Sequence, residues 1–214
     1  MVDIFLILET QQTDNQIEIY RRESQAFGKT YGQWTVEWWR WALSTPKSVN
    51  PVVDKSGNFA GVNQPSENVW FLAGKFGTLE VEFPERHCNV PFGRSVLFPV
   101  INCLASPLEY PELKTEQQLI NHVSNDENGI VRKDCFLNDN TIAVTRVRSD
   151  PLIFSLTINN DNAIGVKGGS TIASADGYWV FLKPLPIGEY ALRFIGACEN
   201  GRLNSGANYS LKII

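Results

Sequence analysis

Residues 33–44 read QWTVEWWRWALS, four tryptophans in twelve positions, with no glycine or proline inside and Pro46 just beyond the end. The segment predicts a helix closed by that proline. At 100° per residue Trp34, Trp38, Trp41 and Ala42 share one arc, and Trp39 and Leu43 lie beside and behind them. A helix apolar around most of its circumference is normally buried, so the rest of the chain must supply a surface that covers it, most simply one face or one end of a sheet.

The remainder reads as strands. Residues 2–8 are continuously apolar, as in a strand buried on both faces, and 16–20 form a second short strand-like segment. Further strands are expected at 69–73, 78–83, 87–90, 95–102, 130–137, 141–148, 153–158, 177–182, 190–195 and 209–213, separated by turn residues such as Pro91-Phe92-Gly93 and Asn138-Asp139-Asn140. Leu113, Leu119, Ile120 and Val123 are spaced for one face of a second helix, near 113–125, with Thr115 as its cap. Residues 45–68, rich in Pro, Asn, Ser and Gly, read as an ordered loop of a length that is often functional. Strands that do not alternate with helices predict a mainly-β fold: one antiparallel β-sandwich domain, jelly-roll-like, over 1–214, with two inserted α-helices, one of them tryptophan-rich.

Charge and cysteine usage remove several function classes. Nineteen Lys and Arg against 23 Asp and Glu give a net charge of -4, with no basic block, which argues against nucleic-acid binding and against anionic membranes. The longest apolar run, 4–8, is far below the ~20 residues a spanning helix needs, and no cationic segment precedes it. The chain is therefore expected to be soluble, and cytoplasmic if Met1 is the native start. Cys88, Cys103, Cys135 and Cys198 form no C-x-x-C pair and are expected as buried free thiols, and two histidines exclude a three-histidine metal centre within one chain. Neither a nucleophile elbow nor a phosphate-cradling loop is present, so no cofactor or reaction is indicated.

Candidate site residues follow from chemistry. Glu37, on the shoulder of the aromatic helix face, is a candidate general acid or base, set against pairing with nearby Arg40. His87 is its candidate catalytic partner; Cys88 beside it would point to the opposite strand face. His122, opposite the apolar face of its helix, is expected in solvent. For binding, indole faces and amides suit a sugar or another small molecule, and Trp38, Gln64, Trp70 and Asn102 are the candidates, in a cleft roofed by the 45–68 loop. Three functions result: a ligand-binding sandwich, a hydrolase-like enzyme using Glu37 and His87, and a structural or assembly protein. Ligand binding is favoured, because no local motif supports the enzyme.

The segments VWFLAG (69–74), VPFGRSVLFPVIN (90–102) and GYWVFLKPLPIGEY (177–190), in this order after the WxxxWWxW helix, resemble a group of bacterial proteins without an assigned activity. The resemblance spans most of the chain. Members of that group often begin with an export signal, and the group implies no reaction and no functional residue.

Overall fold

Thr30 and Gln33 form the start of the tryptophan helix. In the computed structural model, which describes residues 17–75, 83–199 and 204–214, the Thr30 side chain accepts from the Gln33 backbone N–H and the Gln33 side chain accepts from the Thr30 N–H. This capping box lets the helix begin two residues earlier than its apolar pattern suggests. Along the chain, β1 (Gln25–Ala26) and β2 (Lys29–Thr30) precede α1 (Tyr31–Ser44); β3 (Val69–Phe71), β4 (Glu85–Val90) and β5 (Ser95–Ala105) lead to α2 (Glu116–Asn128). Then come β6 (Ile130–Leu137), β7 (Asn140–Thr141), β8 (Thr145–Arg146), β9 (Phe154–Ile158), β10 (Gly169–Leu182), β11 (Gly188–Cys198) and β12 (Asn204–Ile213).

The fold is mainly β with two helices. One sheet runs β3-β5-β10-β8, with β9 pairing the first half of β10; the other runs β4-β12-β11-β6-β7. Two pairings depart from the antiparallel expectation: β3 with β5, and β4 with β12, are parallel. The segment expected as one strand over 141–148 is instead divided, β7 pairing with β6 in the second sheet and β8 with β10 in the first. Residues 16–20 form no named strand, although Ile19 bridges Leu182 and the Tyr20 N–H donates to Phe181 O at 2.8 Å. β10 begins at Gly169, well before the strand expected over 177–182. The strand expected over 2–8 and nearly all of that over 78–83 lie outside the described residues.

Burial on both faces explains why β3, β5 and β10 read as continuous apolar runs. Phe71, Leu97, Trp179 and Phe181 face α1, while Trp70, Phe98, Val100, Val180 and Leu182 join Phe194, Ala207, Tyr209 and Leu211 of the second sheet in another apolar layer. The order is therefore α1, first sheet, second sheet. A bulge at Val100 brings β5 close to β11, where a Cβ on Gly196 would lie 2.4 Å from that of Ile101.

α1 is bound by its indoles. The Nε1 groups of Trp34, Trp38 and Trp41 donate to Ala26 O at 2.8 Å, Leu72 O at 2.8 Å and Val62 O at 2.9 Å, tying the helix to β1, to the chain after β3 and to the 45–68 segment. Each buried indole removes roughly 150–250 Å² from water. The 45–68 segment is a strap built from side-chain hydrogen bonds. Asn50 Nδ2 donates to Ala42 O and Thr45 O, and the Asp54 carboxylate accepts from the backbone of Ser56 and Phe59. Burial works to raise the Asp54 pKa, but those bonds outweigh it and hold the group below its usual value. Ser56 O accepts from the His87 N–H on β4 at 2.8 Å. At that crossing Gly57 has φ +90°, and a Cβ there would sit 2.3 Å from His87 O. Gly57→Ala is expected to cost about 1–3 kcal/mol, read as a lower denaturant midpoint at unchanged slope.

Candidate functional site

A concavity opens where α1 ends above β9 and the first half of β10. It holds about 580 Å³, within the range of small-molecule sites. Arg40 and Ser44 form its helical wall; Ser155 and Thr157 come from β9, Ser170 and Thr171 from β10. Strand alternation explains the hydroxyl row, because Phe154, Leu156 and Ile158 point into the core and leave Ser155 and Thr157 exposed. Ile172, 38% exposed, adds one apolar surface. Arg40 is tethered at the rim: its Nε and Nη2 donate to Ser155 O at 3.3 and 3.2 Å, and its Nη1 donates to Glu37 Oε1 at 3.3 Å. A smaller hollow of about 320 Å³ lies where Ile17 and Glu18 meet Lys183 and Tyr190, but few of its side chains present hydrogen-bonding groups.

The structure separates the two residues expected to share catalysis. Glu37 sits on the outer side of α1, paired with Lys29 at 3.0 Å and Arg40 at 3.3 Å. His87 is exposed on β4, an edge strand of the second sheet, while Arg86 and Cys88 on either side of it are buried. Both sheets stand between Glu37 and His87, so a proton cannot pass directly from one to the other. His122, expected in solvent, packs against the Tyr110 ring at 4.3 Å and lies 3.4 Å from Asp126. Its helix is flanked by the 106–115 segment, a contact that helical periodicity does not show.

The four candidate binding residues lie apart from this groove. Trp38 is 0% exposed, in contact with the rings of Trp39, Trp41 and Trp179, and offers no face for stacking. Gln64 acts as a surrogate strand: its Oε1 accepts from Phe71 N and its Nε2 donates to Phe71 O, both at 2.8 Å, covering the open edge of β3. Trp70 is buried between the sheets under the Arg94 guanidinium, 5.4 Å from its ring centroid. Asn102 is buried opposite Gly177, where a Cβ would meet Asn102 Cβ at 2.6 Å and Trp179 Nε1 at 2.7 Å. The 45–68 strap, to which Gln64 belongs, covers sheet edges and packs Ala60 and Gly61 against the buried Trp70 ring instead of roofing an open cleft there.

Two buried polar groups were not anticipated. Arg86, 1% exposed, donates to the carbonyls of Ala73 and Val52 and to the Tyr209 hydroxyl, with no carboxylate paired to it among the described residues. It joins strap, β3 extension and β12. Its signal was its place: Arg86, Cys88 and Val90 share one strand face. The second group surrounds Glu127, in line with Leu119 and Val123 at i+4 spacing on the buried face of α2. Burial, and next the negative charge of Asp176, push its pKa up to about 9. Asp176 itself is buried and receives Arg146 at 2.8 Å and Arg148 at 3.2 Å. A carboxylate continuing an apolar helical stripe was the signal in this case. None of the four cysteines is in a disulfide; Cys88 and Cys135 are buried as expected, Cys103 and Cys198 only partly, and burial pushes the Cys88 and Cys135 thiols up to about 12, which disfavours their thiolates. Among the described residues no group of three or more His, Cys, Asp or Glu could hold a metal ion, and no helix is long and apolar enough to cross a membrane. Comparison with protein-family models, with curated proteins and with solved structures finds no match for this chain.

Proposed function

We propose that this chain is a ligand-binding β-sandwich protein whose site is the groove between the end of α1 and strands β9 and β10, and that its ligand is a small polyhydroxylated molecule of the glycan class. The observation that carries this reading is the presence of four exposed hydroxyl side chains, Ser44, Ser155, Thr157 and Ser170, and the tethered Arg40 guanidinium around one concavity of about 580 Å³. Hydroxyls that both donate and accept suit sugar hydroxyls, and Ile172 offers an apolar patch for a ring's C–H face. The sandwich assignment is supported by two sheets sharing one apolar layer, and jelly-roll-like connections are part of the same proposal. Kinship with the bacterial group bearing the WxxxWWxW helix is likewise proposed, on the motifs alone. The separation of Glu37 from His87 favours binding over the hydrolase alternative.

A panel of mono- and oligosaccharides titrated into isotopically labelled protein tests the site. Binding should shift the amide resonances of residues 155–157 and 170–172, and the Thr157→Val, Ser170→Ala double variant should weaken it about five- to thirty-fold, as expected for one or two lost hydrogen bonds. Tryptophan emission should change little, because the α1 indoles are buried away from solvent. A panel that leaves these amides unmoved, or shifts a different surface, defeats the proposal.

A further inference from the structure

α2 is held to β5 and β10 by little apolar surface. Its buried side chains are Leu119, Val123 and Glu127, and the two apolar ones form a small cluster with Ala105 and the partly buried Cys103, Tyr110, Leu113 and Ile153. The remaining hold is polar: Arg146 donates to Asn128 Oδ1 at 2.7 Å and to Ser124 O at 3.2 Å while also binding Asp176 on β10. Glu127 lies beneath this bridge, 0% exposed, and its carboxyl oxygens have no partner beyond the weak donor offered by the Cys103 thiol. The Cys103 thiol of β5 adjoins it but donates to Val123 O at 3.3 Å.

We propose that α2 is a proton-operated latch: protonated Glu127 lets the helix close on β5 and β10, and loss of that proton releases the helix and uncovers Cys103, which is partly buried in the closed state with its thiol on Val123 O of α2. The ionisable groups around Glu127 decide the direction. On its own helix are Asp126 and His122; β10 contributes Asp176, β8 Arg146, the chain after β8 Arg148, β5 Cys103, and the segment before α2 Glu109 and Tyr110. The cations are already committed, since Arg146 and Arg148 both bind Asp176. A second carboxylate in this space would have no donor stronger than a thiol and no uncommitted counter-ion, a cost that falls on the closed state alone. Undocking α2 hydrates Glu127 without dismantling the two sheets, so local opening is the least costly response. In the closed state burial, with the charge of Asp126 adding to it, raises the Cys103 pKa well above its usual value, and release of the helix removes both effects.

Cysteine alkylation by iodoacetamide, resolved by peptide mass spectrometry from pH 7 to 10 on the whole protein and on Glu127→Gln, tests the latch. The ratio of the Cys103 rates at each pH cancels the intrinsic reactivity of the thiol, and Cys88 and Cys135 between the sheets serve as internal controls. The wild-type to variant ratio for Cys103 should climb about tenfold per pH unit up to the ionisation of Glu127 and then flatten, while the control ratios stay constant. Parallel Cys103 profiles in the two proteins overturn the proposal. Should the variant fail to fold, the side-chain carboxyl carbon of Glu127 in the wild-type protein gives the answer: a chemical-shift midpoint near 9 is expected, and one in the ordinary carboxylate range overturns the latch.

Discussion

Trp38→Ala will lower the stability of the fold by about 3–5 kcal/mol, the range observed when a fully enclosed large aromatic is truncated and its surroundings collapse only in part. Trp38 is 0% exposed, lies edge-on to Trp39, Trp41 and Trp179, and supplies the N–H that Leu72 O accepts. The variant therefore loses packing and leaves a buried carbonyl unpaired. For a chain of this size the thermal midpoint should fall by roughly 6–20 °C, which calorimetry reads directly. Trp38→Phe keeps most of the ring volume and should lose only about 1–3 kcal/mol, the cost of the unsatisfied Leu72 carbonyl together with a small cavity. Neither variant should alter ligand affinity once its folded fraction is accounted for. A Trp38→Phe protein of wild-type stability but weakened binding would return this residue to the site.

Glu127→Gln should stabilise the protein at neutral pH, by roughly 3 kcal/mol at most at pH 7, and the advantage should widen with rising pH. The sign follows from the raised native pKa, about 9 against an ordinary value of 4.5. Such a group contributes its full stability below the unfolded value and loses it as the pH rises toward the folded one, because the unfolded chain ionises first. Glutamine keeps a neutral, similarly shaped side chain at every pH and removes that loss. Urea unfolding of both proteins from pH 4 to 10 measures it: the curves should nearly meet at pH 4 and diverge above pH 5. If α2 undocks as proposed, the divergence levels off where local opening becomes cheaper than a buried charge. Curves that stay parallel across the range would mean that Glu127 is hydrated in the native state.

Local patterns account well for the helices. The α1 pattern ends correctly at Ser44 before Pro46, and Thr115 caps α2, which runs three residues beyond its expected end, to Asn128. The missed start of α1 was itself written locally, as Thr-x-x-Gln. The 130–137 strand matches β6, since its burial is settled by the chain's own composition. By contrast 141–148 looks like one strand because each half alternates acceptably, whereas the crossing between sheets depends on partners distant in sequence. The candidate site fared differently. Trp38, Gln64, Trp70 and Asn102 were chosen because their side chains can bind ligands, yet the same donors and rings serve an edge strand or a packed layer once neighbours are present.

What the sequence determined is which residues must leave water: a helix apolar on most sides, strands apolar on both faces, and cysteines without metal-binding spacing. These are properties of periodicity and composition over short windows, and burial enforces them in any compact structure. Tertiary structure alone decided what the polar residues do. It set Glu37 and His87 on opposite outer surfaces, enclosed Arg86 among carbonyls, gathered Glu127, Asp176 and Arg146 under α2, and brought hydroxyls from α1, β9 and β10 to one groove. Polar side chains act through partners, and in a fold dominated by long-range strand pairing those partners are dictated by register and layer order instead of sequence proximity.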